Sequence, residues 1–195
     1  QNFVMDLPIN LSGTFGELRT NHFHSGIDIK TNRVEGLNIY SYEKGYISRI
    51  QVSTYGYGKA IYITHPDGKI TVYAHLSKFS EKIQNYVKDI QYKRKKFAIK
   101  VYPKESEILI EKNEIIGYSG NTGSSSGPHL HFELRDKNNM PVNPLKYRNI
   151  EIIDTIIPSL KGVYYKELKY NNGKLEDNYS RFKIIKFIEN DNGKY

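Results

Sequence analysis

Apolar and polar residues alternate strictly along His129–Leu134, with His129, His131 and Glu133 on one parity and Leu130, Phe132 and Leu134 on the other. A period of two marks a strand with one buried face, so the apolar trio is predicted to face a core. The two histidines and the glutamate then share the open face, the imidazoles roughly 6.5 Å apart along the strand. The same reading predicts strands at Leu37–Tyr40 and Gly45–Val52, joined by a turn at Glu43–Gly45. It predicts a hairpin of Lys59–Thr64 and Lys69–His75 around Asp67-Gly68. Ile115–Ser119 leads into a run of small residues that ends at Gly127-Pro128. One stretch has a helical period: Ile83, Tyr86, Val87 and Ile90 against Glu81, Lys82, Lys88 and Asp89, with Ser80 as N-cap, predict a helix over Ser80–Arg94. Short strands at Phe97–Tyr102 and Glu107–Glu111 follow it, and Phe3–Gly16 reads as an extended lead-in with turns. The first domain is therefore mostly β.

Asp136–Asn139 is predicted as a turn and Pro141–Pro144 as the close of a first domain, residues 1–150. Residues 151–195 read as a linker, Asp154–Pro158, and part of a β module, with strands at Lys161–Tyr170 and Arg181–Ile188 and a turn between them at Asn171–Gly173. So short a tail buries little apolar surface by itself. It is expected to begin a second domain or to lie on the first.

Paired histidines on a sheet are ordinary surface residues unless something else meets them. The upstream stretch His22-Phe23-His24-Ser25-Gly26-Ile27-Asp28 changes the picture. A catalytic zinc takes three protein ligands, often histidine and carboxylate, and keeps a fourth position for water. His24, Asp28 and His131 supply that set. Gly26 is read as allowing a sharp fold between the first two ligands, and Asp28, flanked by Ile27 and Ile29, as lying on the open face of another strand. His22 is either a spare ligand or a residue that orients His24 or binds substrate. Arg19 either pairs with Glu17 or holds a substrate carboxylate. Tyr55-Gly56-Tyr57-Gly58 is either a lip of a substrate groove or a plain hairpin loop, and His65 is given no chemical role. Glu133 is read as orienting a histidine through its free N–H.

The chain has 195 residues, room for one domain and part of another. It has no cysteine, which excludes a thiolate zinc site and a cysteine nucleophile. No apolar run is long enough for a transmembrane helix. The net charge of +8 favours polyanions, but the one dense cluster, Lys93–Lys96, reads as a solvated helix end or loop. No nucleic-acid-binding motif accompanies it, so no nucleic-acid partner is expected. No signal peptide is read in the chain. An exported protein of the periplasm or cell envelope, its leader removed beforehand, is the expectation, and a monomer is the expected state.

Three motifs in order, His24-x-Gly26-x-Asp28, Tyr73-Ala74-His75-Leu76-Ser77, and Ser119-Gly120-Asn121-Thr122-Gly123 through His129-Leu130-His131-Phe132-Glu133, resemble those of the lysostaphin-type (LytM-like) zinc metallopeptidases. The likeness runs from about Phe15 to Tyr147, and Ser12–Arg19 resembles a Gram-negative envelope branch. The resemblance implies an antiparallel β-sandwich peptidase domain of the duplicated-hybrid-motif type. It implies a Zn2+ ion on His24, Asp28 and His131, and peptide stems of peptidoglycan as partner and substrate. It further implies that His75 and His129 take a proton from the attacking water and stabilise the oxyanion, in an order the sequence leaves open. It overturns the structural reading of His75, which alone would be a satisfied histidine at a strand end. Members that have lost ligands act instead as silent wall-binding or amidase-activating proteins, the alternative function. The link at residues 80–112 is longer than the family pattern and is read as an insertion.

Overall fold

The computed structural model describes residues 3–19, 22–146 and 152, and beyond these the backbone of four short strands between 163 and 185. Two compact units divide the chain, Gln1–Asp154 and Thr155–Tyr195. The first runs β1 Leu11–Gly13, β2 Ile27–Lys30, β3 Asn38–Tyr40, β4 Gly45–Val52, β5 Ala60–Thr64, β6 Ile70–Ala74 and β7 Lys78–Phe79. Then come α1 Glu81–Arg94, β8 Ile99–Val101, β9 Leu109–Ile110, β10 Ile115–Tyr118, β11 His129–Arg135, β12 Pro141–Val142 and a 3-10 turn at Pro144–Lys146.

An antiparallel sheet orders its strands β1-β2-β11-β6-β5-β4-β8, with β12 beside β11 and β9 beside β4; a smaller sheet is ordered β3-β10-β7. Both feed one core. Alternation sends Ile27 and Ile29, Leu130 and Phe132, Tyr73, Ile61 and Ile63, and Ile47 and Ile50 to the inner face of the large sheet. There they cluster with Ile39, Phe79 and Ile116 of the small sheet, with Val4 and Met5 of the lead-in, and with Ile83 and Val87 of α1. The mostly β, antiparallel fold with a single helix is thus the one the periodicity predicts.

Three details differ from the expectation. The lead-in is not merely extended: Leu11–Gly13 pairs with β2 as the sheet's edge. The strands on either side of Glu43–Gly45 join different sheets, β3 pairing with β10 and β4 with β5, because the intervening residues cross between layers. Ser80 stands at the N-cap of α1 but its side chain makes no capping bond; its N–H is taken by the Ile116 carbonyl instead. The Asp67-Gly68 hairpin forms as predicted, with Gly68 at φ +80°.

In the second unit, β13 Val163–Tyr165 pairs with β16 Lys183–Ile185, and β14 Lys169–Asn171 with β15 Lys174–Glu176. The described parts of the strand predicted over Lys161–Tyr170 thus have different partners, and Lys169–Asn171 pairs with Lys174–Glu176 rather than with Arg181–Ile188. The predicted linker Asp154–Pro158 lies outside the described residues.

His65 is buried under the hairpin. Its Nδ1–H donates to the Lys44 carbonyl at 2.8 Å, and Nε2 accepts from the Thr71 hydroxyl at 2.8 Å. Burial pushes this imidazole below the ordinary histidine value, more strongly than the Lys44 bond lifts it. The unfolded chain then takes up a proton near pH 6.5 that the folded protein resists, so this stability is present above pH 6.5 and is lost as pH falls through the folded value. Urea midpoints should show His65→Gln less stable than the parent at neutral pH, by about 1 kcal/mol. The gap should narrow towards pH 5; a constant gap contradicts the assignment.

Candidate metal centre and cleft

The large sheet brings the candidate ligands together. Register pairs Asp28 of β2 directly with His131 of β11, and His131 with Ala74 of β6, one residue before His75. His24 reaches the same point from the loop before β2, whose strand-like ends clasp each other through Gly16 N–H to the His24 carbonyl and His24 N–H to the Glu17 carbonyl. The result is a near-equilateral triangle. His24 Nε2 is 3.1 Å from Asp28 Oδ1 and 3.1 Å from His131 Nδ1, and His131 Nδ1 is 2.9 Å from Asp28 Oδ1. Tetrahedral zinc with bonds of about 2.0–2.1 Å spaces its ligand atoms by about 3.3 Å.

The protons show why these atoms suit a cation. His24 Nδ1–H donates to the Thr14 carbonyl at 2.8 Å, and His131 Nε2–H donates to Glu133 Oε1 at 2.9 Å. Each imidazole then presents a lone pair to the centre, beside a carboxylate. Three acceptors that close repel one another unless a positive charge sits among them. Burial pushes Asp28 up, but the neighbouring His129, His131 and His24, when they carry a proton towards it, outweigh burial and hold the carboxyl far below the usual range. Burial likewise pushes His131 down, while Asp28 and Glu133 hold it above the ordinary value. Among the described residues these three form the group able to hold a metal ion; His22 lies exposed on the cleft and outside it.

Arg19 keeps the pairing with Glu17 that was one of its two readings and adds a partner that neither reading named. Its guanidinium donates to Glu17 at 3.4 Å, but also to Asp28 Oδ2 at 2.9 Å. Asp28 is thereby left one free oxygen, Oδ1, facing the histidines. Gly13 makes room for this pair: a Cβ there would stand 2.5 Å from both Arg19 Nη2 and Asp28 Oδ2. Gly26 lies at a bend just before β2, as predicted. It also permits close approach, since a Cβ would meet the Phe132 carbonyl at 2.3 Å.

Glu133 was read as lying on an open face, yet it is fully buried. The Tyr55–Gly58 loop folds over it. Tyr57 stacks on His131, ring centroids 5.1 Å apart, and its hydroxyl donates to Glu133, which also accepts from Ser25 Oγ at 2.6 Å and from Arg135 at 2.6 Å. Burial pushes the Glu133 carboxyl up, but His131 and Arg135 bring it down to about 2. Tyr57 and Ser25 were missed in the sequence; Tyr57 was one of two aromatics in a loop, and nothing local says which turns inward. Glu133→Gln is expected to weaken zinc binding about 10–100-fold, as second-shell changes do; a competitive zinc titration checks it.

His75 and His129 face each other, centroids 4.7 Å apart, beside the triangle. His75 Nδ1–H donates to the Thr122 carbonyl at 2.8 Å, and His129 Nδ1–H to the Gly127 carbonyl at 2.9 Å. His129 Nε2 lies 3.5 Å from Asp28 Oδ1. Burial pushes His75 down to about 4. These groups line a cleft of about 410 Å³, rimmed by Arg19, His22, Gly56 and Ser124–Ser126.

The sequence profile of peptidase family M23 matches residues 22–92 and 98–144. The DD-carboxypeptidase/endopeptidase Mpg of Neisseria meningitidis serogroup B is 34% identical over 128 residues, 66% of this chain; the match spans 23% of that relative's length. The catalytic domain of the antimicrobial peptidase lysostaphin from Staphylococcus simulans superposes with a TM-score of 0.53 at 25% identity, covering 71% of this chain and 91% of that one. The catalytic domain of the prophage-encoded protein EnpA from Enterococcus faecalis shares the fold, with a TM-score of 0.53 at 24% identity over 74% of this chain and 97% of that one.

Proposed function

The chain belongs to peptidase family M23, and from that premise we propose that it is a zinc-dependent endopeptidase hydrolysing peptide cross-links of bacterial peptidoglycan. The observation that carries this is the triangle of His24 Nε2, Asp28 Oδ1 and His131 Nδ1, with both imidazole protons turned outwards. Those three residues would hold the ion. Bound there, zinc supplies a Lewis acid for the scissile carbonyl and lowers the pKa of water to about 7.

The remaining steps fall to the chain. Nδ1–H of His75 and of His129 is committed to a backbone carbonyl, so Nε2 of each is the working atom. One takes the proton of the attacking water at Nε2; the other donates to the developing oxyanion as the imidazolium, with Nε2 protonated as well as Nδ1. Burial favours neutral His75 at pH 7, which suits it to accept a proton. Small residues at Asn121–Gly127 leave room for an unhindered peptide. The Neisseria relative's name supports a D,D bond, the D-alanyl–diaminopimelyl cross-link, over a glycine bridge, and an exported, periplasmic or envelope location follows from that substrate.

Mass spectrometry of fragments released from purified peptidoglycan tests the reading. Release should need zinc, stop with a chelator and return on zinc addition. A zinc-loaded, folded chain that releases nothing would sink it.

A further inference from the structure

Lys and Arg number 29 in the chain and Asp and Glu 21, yet the segment Ile90–Lys104 carries six cations and no carboxylate. This short stretch thus accounts for six of the net charge of +8. It holds the end of α1, the following turn and the edge strand β8. We propose that this segment docks the protein on an anionic lipid bilayer.

Three exposed aromatic side chains lie among the cations: Tyr92 is 81% exposed, Phe97 63% and Tyr102 66%. Among the described residues, none of Lys93, Arg94, Lys95, Lys96, Lys100 and Lys104 enters an ion pair. The helix dipole accounts for Lys93 and Arg94 in the last turn. It does not reach Lys100 or Lys104, and it says nothing of the aromatics. The match to the M23 profile breaks at residues 93–97, which hold four of the six cations and Phe97.

The backbone beneath these side chains is fixed. Lys95 closes the helix in the left-handed conformation, with its N–H on the Gln91 and Tyr92 carbonyls. The Gln91 side chain donates to the Phe97 carbonyl. Lys100 sits in β8 opposite Gln51, its neighbours Ile99 and Val101 buried, so Lys100 and Tyr102 share the outward parity. The backbone at the helix end and along β8 is therefore held before contact, with little ordering left to do.

The aromatics decide what kind of anion it meets. Phe97 has no polar atom, and it gains only by leaving water for an apolar phase. Tyrosine belongs at the bilayer interface. Lysine and arginine lay their stems on apolar surface and raise their charge to the headgroups. A water-soluble anionic wall polymer would use the cations and leave Phe97 idle.

The test is sedimentation of the full chain with phosphatidylcholine vesicles, with and without phosphatidylglycerol. Binding to the anionic vesicles should exceed that to neutral ones by tenfold or more and fall steeply with salt, on the order of tenfold from about 0.05 M to 0.5 M. Joint Lys93→Ser, Arg94→Ser, Lys95→Ser and Lys96→Ser substitution should abolish that preference. Phe97→Ser alone should weaken vesicle binding several-fold with charge unchanged. Near-native zinc uptake by both variants, which lie outside the cleft, establishes that they fold. Equal binding to neutral and anionic vesicles, or none to either, overturns the proposal. So does an undiminished Phe97→Ser variant alongside loss of binding to purified anionic wall polymer by the cation-free one.

Discussion

Asp28→Ala should lose bound zinc and hydrolytic activity together, with turnover falling by on the order of 10³-fold or more. The size follows from what the carboxylate does in this structure. It supplies one of three ligand atoms, Oδ1, within about 3 Å of both histidine nitrogens, and the anion that balances a divalent charge in a buried place. A catalytic metal contributes several kcal/mol of transition-state stabilisation, and each 1.36 kcal/mol is a decade in rate. The substitution also strands Arg19, whose bond to Oδ2 leaves Oδ1 free for the centre. Metal content measured on the purified variant, beside release of muropeptides, checks both halves. Retention of stoichiometric zinc would remove Asp28 from the ligand set. Arg19→Met provides the finer comparison: it keeps all three ligands and should lower affinity for zinc without abolishing it.

The meeting of Asp28 with His131 was legible because β-structure converts spacing into direction. His129, His131 and Glu133 fall on one parity of β11, and Asp28 lies one residue from apolar neighbours on both sides in β2. What the period of two leaves undetermined is what lies over that face. Glu133 was therefore read on the right side of the sheet but at the wrong depth: the Tyr57 loop, far off in sequence, closes over it. Gly26 was read only in part, for a similar reason. A glycine between two candidate ligands suggests a sharp fold, and the chain bends there, but a second constraint comes from the Phe132 carbonyl on a strand more than a hundred residues later. Arg19 lay near the site in sequence, yet its partner is decided by the edge pairing of β1 with β2, which the lead-in's irregular pattern hid. Most strands of the two sheets were found in the sequence, though not β1, β7 or β12; their allocation to two sheets was not, because a turn between strands does not say whether they pair.

His75→Ala is the second large effect, and it should separate metal binding from catalysis. His75 follows directly on β6 with φ at +59°, a left-handed conformation uncommon outside glycine and asparagine. Such strain costs on the order of 1–3 kcal/mol and survives only where surrounding bonds impose it. Here they do: the His75 N–H donates to the Tyr57 carbonyl at 3.0 Å, and its Nδ1–H to the Thr122 carbonyl at 2.8 Å. The outcome of holding the chain this way is an imidazole facing His129 and adjacent to the triangle without belonging to it. Alanine should therefore leave zinc in place while kcat falls by roughly 10²–10⁴-fold, the usual worth of a positioned acid or base, with KM changed far less. His75→Asn is the control for the backbone, since asparagine tolerates the left-handed region and offers no titrating nitrogen. If the loss comes from the missing imidazole, both variants should be equally inactive and both should bind zinc. Recovery of activity in the asparagine variant would assign His75 to holding the loop, and loss of zinc in either would move it into the ligand set.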